Sequence, residues 1–173
     1  MLALVEAFFA IMIRRRGPED LPDSAVLLQF LVAVYLACQV PVGLIMYGWT
    51  GTTLALILAD IALLAAFFWI LLRATGHAAR YRQTLSALLG TGALLSLVQA
   101  PLVALSRAAP DPAQRPAVIT FALVALLAWM LLVQGHIASR ALSRHFGIGM
   151  LVALSYFVLS FQLSTRISPA GPG

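Results

Sequence analysis

Apolar residues fill five long stretches of this chain, and polar residues are concentrated in the short segments between them. A helix of about 20 apolar residues is roughly 30 Å long, which matches the hydrocarbon thickness of a bilayer. Each stretch is therefore predicted to cross a membrane as a helix. The predicted spans cover about 25–47, 52–72, 84–105, 117–139 and 146–164. The sequence thus predicts an all-α integral membrane bundle of five transmembrane helices, with one membrane domain over 25–164.

A shorter apolar segment, 1–13, precedes these spans, and at about 20 Å its helix is too short to cross a bilayer. Its positive charge follows at Arg14, Arg15 and Arg16, whereas a secretory signal carries charge before the apolar run. We predict that 1–16 forms a short interfacial helix, and packing of this terminus on the bundle stays open as an alternative. The predicted polar face comprises Ala3, Glu6, Ala7, Ala10 and Arg14, opposite Leu2, Val5, Phe9 and Met12.

Turn-forming residues mark the connections between these elements. Residues 17–24 are predicted to be a capping loop, because Pro22-Asp23-Ser24 supplies the residues that cap a helix N-terminus. The short uncharged loop 48–51 predicts a tight antiparallel hairpin of the first two spans. The longest polar loop is 106–116, and a short tail, 165–173, closes the chain.

Hydrophobic residues make up 62% of the chain and charged residues 10%, which excludes an ordinary soluble surface. All eleven basic residues are arginine, and they are divided among the loops, so nucleic acid is not a predicted partner. Because only Arg107, Arg115 and Arg166 lie on one side of the predicted bundle, the positive-inside rule places the N-terminus in the cytoplasm and the C-terminus outside a bacterial inner membrane. The predicted basic cytoplasmic face, which suits anionic lipid headgroups, comprises Arg14, Arg15, Arg16, Arg73, Arg80, Arg82, Arg140 and Arg144.

One acidic residue, Asp60, lies inside the second predicted span. A carboxylate at this depth costs about 2.5 to 3.5 kcal/mol on insertion scales, which the surrounding leucine, isoleucine and phenylalanine residues outweigh. Counting about 1.5 Å per residue from the helix ends finds further polar side chains at the same depth. The predicted intramembrane polar layer comprises Asp60, Gln39, Ser96, Gln99 and Tyr156.

This layer has two interpretations. In the first, Asp60 is a proton or cation site, and Pro41 and Pro101 allow movement because each leaves a backbone carbonyl one turn earlier without its usual partner. In the second, a protonated Asp60 is hydrogen-bonded to Gln39 or Gln99 and only holds the register of the bundle.

Two further patterns concern packing. Small residues recur in the third span and predict the close approach of another helix. They are Ser86, Gly90, Gly92, Ser96 and Ala100. A possible internal duplication relates Trp69, Gly76-His77 and Gln99 to Trp129, Gly135-His136 and Gln162, as two hairpins that each turn at a Gly-His pair. Coincidence between apolar segments is the alternative.

Catalytic and metal-binding motifs give no support for an enzyme. The single cysteine, Cys38, excludes a disulfide framework and a cysteine metal site. His77, His136 and His145 have no metal-ligand spacing, and phosphate-binding and nucleophile motifs are absent. We therefore predict no cofactor, no metal and no enzymatic activity.

The stretch from Tyr81 to Pro101, and Trp129 with the run Gly135 to Ala141, resemble the Yip-domain family of Rab-interacting-type membrane proteins in its bacterial branch. The likeness covers about 25–164. It implies a five-span membrane domain and a non-enzymatic organiser of membrane complexes. The eukaryotic branch carries an Asp-Leu-Tyr-Gly-Pro stretch, and here only Asp20-Leu21-Pro22 stands near that place.

Two functions are expected. The first is an organiser or accessory subunit that acts through lipids, a partner membrane protein or a second copy of the chain, by way of its basic face and small-residue helix surfaces. The alternative is a small proton- or cation-coupled transporter centred on Asp60.

Overall fold

The computed structural model describes residues 2–108 and 116–167, and within these ranges the chain is helical and contains no strand. The helices are α1 (Leu2–Met12), α2 (Ala25–Tyr47), α3 (Gly51–Ala74), α4 (Tyr81–Ala108), α5 (Ala117–Ala141) and α6 (Phe146–Ile167). Single turns of 3₁₀ helix lie at Pro18–Asp20 and Ala78–Arg80. Helices α2 to α6 are each long and apolar enough to cross a membrane. The predicted all-α bundle with five apolar helices is confirmed, and the chain is an integral membrane protein.

Several helices extend beyond the apolar stretches that predicted them. Helix α4 begins at Tyr81 and ends at Ala108, three residues outside the predicted span on each side, and α6 continues to Ile167. Hydropathy marks only the part of a helix that suits hydrocarbon, whereas the main-chain hydrogen bonds of the helix continue into the headgroup region of the membrane. The predicted loop 106–116 is thus helical up to Ala108. Its residues 109–115, and residues 168–173 of the predicted tail, lie outside the described residues.

Hydroxyl side chains fix where α2 and α3 begin. Ser24 Oγ accepts a hydrogen bond from Leu27 N at 3.3 Å, and Thr50 Oγ1 accepts one from Thr53 N at 3.2 Å. Thr53 Oγ1 donates to Gly48 O at 2.7 Å, and Gly48 has a φ of 75°, which side-chain-bearing residues rarely adopt. These bonds close the short turn that makes α2 and α3 antiparallel.

Helix α4 lies at the centre of the bundle and packs on α1, α2, α3 and α5. Its glycines allow this. A Cβ atom on Gly90 would overlap the Phe8 ring of α1, and one on Gly92 would lie 2.8 Å from Tyr35 Cε2 of α2. The most extensive helix pairs are α2 with α4 and α5 with α6, and α3 packs less closely on α2, α4 and α6. Of the small residues predicted for close packing in α4, Gly90 thus faces α1, and Gly92 and Ser96 face α2.

Helix α1 packs on α4 and α5 through a face that matches neither of the two predicted faces. Ala7, Phe8, Ile11 and Met12 are buried against α4 and α5, whereas Val5, Glu6, Phe9 and Ile13 are exposed. The predicted polar face thus includes the buried Ala7, and the predicted apolar face includes the exposed Val5 and Phe9. The structure therefore shows the alternative in which this terminus packs on the bundle, and the buried Ala7 departs from the predicted polar face. The exposed Val5 and Phe9 remain compatible with lipid contact, because an apolar side chain is equally suited to protein and to lipid.

The arginine-bearing connections meet at one end of the bundle, which we call the basic end. There Arg14 lies over the Phe146 ring at the start of α6, 5.4 Å from its centroid. Arg80, before α4, donates to the carbonyl of Ala141 at the end of α5 at 3.1 Å. His136 Nε2 of α5 lies 2.8 Å from Arg16 O and donates to it. The end that carries the α2–α3 turn is the opposite end.

The two proposed Gly-His hairpins are not equivalent. Gly76 lies in the turn between α3 and α4 and has a φ of 77°, but Gly135 lies inside α5, six residues before its end. Gly135 instead allows α6 to approach, because its Cβ would lie 2.6 Å from Met150 Sδ. The second hairpin turns after Ala141, so the idea that both hairpins turn at a Gly-His pair was wrong.

Candidate intramembrane polar site

The carboxyl of Asp60 accepts hydrogen bonds from three hydroxyl groups. Its Oδ1 receives Tyr156 Oη and Ser160 Oγ, both at 2.8 Å, and its Oδ2 receives Tyr35 Oη at 3.2 Å. Tyr35 is on α2, Asp60 on α3, and Tyr156 and Ser160 on α6. The carboxyl therefore joins three membrane-spanning helices.

A second line of hydrogen bonds leads to Asp60 through Tyr35. Gln39 Nε2 donates to Tyr35 Oη at 2.8 Å, and Ser96 Oγ of α4 lies 3.0 Å from Gln39 Oε1. The Ser96 hydroxyl also lies 2.8 Å from Gly92 O, so its single proton is shared between two acceptors. Ser96 donates to Gln39, Gln39 donates to Tyr35, and Tyr35 donates to the Asp60 carboxyl. Helix α4, which carries Ser96, therefore belongs to the same network.

Helical spacing and a glycine position these side chains. Tyr35 and Gln39 are four residues apart on α2, as are Tyr156 and Ser160 on α6, so each pair shares one face of its helix. The Tyr35 ring lies against Gly92 of α4, where any side chain would displace it. The ring of Tyr156 packs on Phe67 and Phe68 of α3, with centroids 5.7 and 6.4 Å apart.

The polar network borders a cavity of about 400 Å³ that all five membrane-spanning helices line. Its polar lining includes Tyr35, Gln39, Asp60, Ser96, Gln99, Gln134, Tyr156, Ser160 and Ser164. The cavity extends to Met46, Tyr47 and Ile167 near the opposite end of the bundle. Helices α3 and α5 do not pack closely on each other, and residues of both helices line the cavity.

The structure brings together most of the residues of the predicted polar layer. Tyr156 bonds directly to Asp60, and Gln39 and Ser96 reach it through Tyr35. Gln99 lines the same cavity, but none of the hydrogen bonds that connect Ser96, Gln39, Tyr35, Tyr156 and Ser160 to Asp60 involves it. The register interpretation invoked a direct bond from Gln39 or Gln99 to Asp60. In the structure the groups that donate to the Asp60 carboxyl are instead the hydroxyls of Tyr35, Tyr156 and Ser160.

Sequence reasoning missed Tyr35 and Ser160, although a signal for both was present. Tyr35 lies one helical turn before Gln39, and Ser160 lies one turn after Tyr156, so both share a face with a predicted residue. Counting depth alone assigns them to other levels, because a side chain reaches about one turn along the bundle axis.

The two prolines near this level do not face the polar network. Pro41 of α2 and Pro101 of α4 are exposed, and both helices continue through them. Their missing N–H groups free the carbonyls of Ala37 and Leu97, which also belong to exposed residues. The prolines are therefore on the outer surface of the bundle rather than at the cavity.

The oxygen atoms around Asp60 suit a proton or a cation. A carboxylate offers about four lone-pair sites, of which the three hydroxyl groups occupy three, and the tyrosine, serine and glutamine oxygens supply further acceptors around the cavity. No cluster of histidine, cysteine, aspartate or glutamate side chains that could hold a metal ion occurs in the described part of the chain.

The predicted basic face lies at the basic end, but several of its arginines have partners within the chain. Arg82 forms an ion pair with Asp23 at 3.7 Å, and Arg140 forms one with Glu19. Arg73 lies over the Trp69 ring, 5.1 Å from its centroid. The side chains of Arg14, Arg15, Arg16 and Arg144 belong to exposed residues.

Comparisons with protein-family models, curated proteins and solved structures give no match to this chain. The assignment of the chain as an integral membrane protein therefore rests on the length and apolar composition of its five long helices.

Proposed function

We propose that this membrane protein is a small proton- or cation-coupled transporter, and that Asp60 is the group that binds the proton or cation. The observation that carries the proposal is that the Asp60 carboxyl lines a cavity of about 400 Å³ between membrane-spanning helices. Ionisable groups at this level are costly and commonly serve ion or proton pathways.

A purely structural role for Asp60 needs its hydroxyl partners but not the cavity. Protein interiors are closely packed, because an empty space removes dispersion contacts from each side chain that lines it. A cavity that has a carboxyl and other polar side chains in its lining instead suits water and a small solute. The cavity therefore favours a binding role for Asp60 over a role in helix register alone.

Protonation of Asp60 changes the bonds that hold α3. An ionised carboxylate only accepts hydrogen bonds, so it receives all three hydroxyl protons. A proton on Oδ2 makes this oxygen a donor toward Tyr35 Oη, which already accepts from Gln39. The Tyr35 hydroxyl must then donate to another acceptor. Proton binding is in this way coupled to the contact between α2 and α3, and α3 is a loosely packed helix of the bundle.

The arginine distribution supports a proposed orientation in the membrane. Three arginine-bearing connections share the basic end, and the positive-inside rule puts such an end in the cytoplasm of a bacterial cell. The N-terminus is then cytoplasmic, and the cavity extends toward the outer surface. The organiser role that the Yip-domain resemblance implies is the alternative, and it requires no chemistry at Asp60.

Flux measurements on the reconstituted protein test the transporter proposal. In liposomes that contain a pH-sensitive dye, the purified chain should move protons in response to an imposed gradient of sodium or potassium faster than empty liposomes do. Asp60→Asn should lower this rate to that of empty liposomes. The matched control is Ser155→Ala on α6, because this exposed hydroxyl bonds to Leu151 O of its own helix and does not line the cavity.

Two results would overturn the proposal. One is wild-type liposomes that behave as empty liposomes, and the other is an Asp60→Asn variant that matches the wild type. Each would leave the organiser role as the better explanation. Gel filtration of the variant in detergent must first show the wild-type elution volume, so that a loss of flux reports on Asp60 and not on misfolding.

A further inference from the structure

A second cavity, of about 330 Å³, lies at the basic end and is separate from the Asp60 site. Its lining comprises Glu19, Arg80, Ser139, Arg140, Ser143 and Arg144. Three guanidinium groups and one carboxylate leave this small space with a net positive charge. Its residues come from the 3₁₀ turn Pro18–Asp20, from the 3₁₀ turn before α4, from the end of α5, and from the connection between α5 and α6.

Arg80 holds one wall of this cavity in place. Its Nη1 donates to Ser143 Oγ at 2.6 Å and lies 3.1 and 3.3 Å from the carbonyls of Ala141 and Arg140. These carbonyls are among those that the end of α5 leaves without helical partners, so Arg80 caps that helix. The cap uses one terminal nitrogen, and the remaining N–H groups of the guanidinium are available to the cavity.

Ser143 directs a hydroxyl group to the same place. It has a φ of 51°, in the left-handed region that few residues with a side chain adopt, and this conformation brings its Oγ within reach of Arg80. Because Ser143 Oγ accepts from Arg80, its own proton can be donated to a ligand.

An anion of this chain already lies in the cavity. The carboxylate of Glu19 forms an ion pair with Arg140, and the turn that carries Glu19 packs on α4 and α5. The two side chains are 39% and 54% exposed, so solvent screens their attraction, and such pairs contribute at most about 1 kcal/mol. A more highly charged anion can therefore displace Glu19.

We propose that this cavity is a phosphate-binding site, formed by Arg80, Arg140, Arg144 and Ser143, in which Glu19 is a competing internal anion. Arginine forks and a hydroxyl donor match the several oxygens of a phosphate group better than they match one carboxylate. The ligand is the phosphate of an anionic lipid headgroup or a free phosphate ion. The site does not depend on transport at Asp60.

Binding of inorganic phosphate to the detergent-solubilised chain, measured by calorimetry, tests the site directly. Arg144→Gln should weaken binding about fivefold, the effect of roughly one arginine charge. Glu19→Gln should strengthen binding about threefold to fivefold, because the internal competitor loses its charge. Arg73→Gln is the matched control, since Arg73 lies at the same end over Trp69 and should leave binding unchanged.

Native mass spectrometry of the chain from vesicles of phosphatidylglycerol and phosphatidylcholine distinguishes the source of the phosphate. Retention of phosphatidylglycerol that Arg144→Gln reduces and Glu19→Gln increases indicates a lipid headgroup. Binding of inorganic phosphate without such retention indicates a free ion. The proposal is wrong if neither ligand responds to Arg144→Gln, or if Glu19→Gln weakens binding. Both variants change exposed side chains, so neither should unfold the bundle.

Discussion

The hydroxyl of Tyr35 on α2 lies 3.2 Å from Asp60 Oδ2 on α3, although the two residues are 25 positions apart in the chain. This bond connects two groups of polar residues that would otherwise be separate. Gln39 and Ser96 lie on one side of it, and Tyr156 and Ser160 lie on the other. Tyr35 is therefore the residue that turns scattered polar side chains into one network across four helices.

Removal of this hydroxyl should weaken the bundle moderately. Tyr35→Phe takes away the bond to Asp60 and leaves the Gln39 amide without its acceptor, at a cost of about 0.6 to 2 kcal/mol. We expect a lower apparent melting temperature in detergent by a thermal-shift assay. Tyr47→Phe should have no effect, because Tyr47 is 43% exposed at the opposite end. Equal melting temperatures for the wild type and Tyr35→Phe would contradict the central position of Tyr35.

A side chain at Gly149 should separate α5 from α6. The Cβ of Gly149→Ala would overlap the carbonyl oxygen of Gly135 and lie 2.7 Å from Ser139 Cβ, and backbone atoms cannot move aside without shifting the helices. We expect a loss of stability of about 1 to 3 kcal/mol, measured by denaturant titration in detergent micelles. Gly51→Ala is the control, since its Cβ meets no atom within 4 Å. A Gly149→Ala protein as stable as the wild type would contradict the close approach of α6 to Gly135 and Ser139 of α5.

The two neighbouring phenylalanines of α1 should respond differently to truncation. Phe8 is 5% exposed and contacts Gly90, whereas Phe9 is 54% exposed. Phe8→Ala should therefore destabilise the protein by about 3 to 5 kcal/mol, and Phe9→Ala by much less. The measurement is the melting temperature of each variant in the same detergent. The reverse order would contradict the packing of Phe8 against Gly90.

Cysteine labelling in intact cells tests the proposed orientation. In a Cys38→Ala background, Trp49→Cys at the α2–α3 turn should react with a membrane-impermeant thiol reagent, because Trp49 is 86% exposed and the turn is proposed to face outward. Ser143→Cys, at the basic end, should react only after the cells are permeabilised. The opposite pattern would reverse the orientation, and labelling of both sites in intact cells would contradict a separation by the membrane.

The polar site was partly predictable because depth follows from counting along a helix. Gln39, Ser96 and Tyr156 were assigned to the level of Asp60 from the helix ends, and they belong to its network. Counting does not give the direction in which a side chain points. For that reason Gln99 was assigned to the layer without a role in the network, and Ser160, one turn farther along α6, was missed.

The five helices follow from the sequence alone, because a membrane requires long apolar segments with internally satisfied backbone groups. Their order around the centre does not. Lipid and protein are equally apolar surroundings for leucine or phenylalanine, so the pattern of apolar residues leaves open which face meets another helix. Close approaches at glycines decided that α4 is central and that α1 packs on it. The cavity beside Asp60 exists only in the tertiary structure, since it is the space that five helices leave between them.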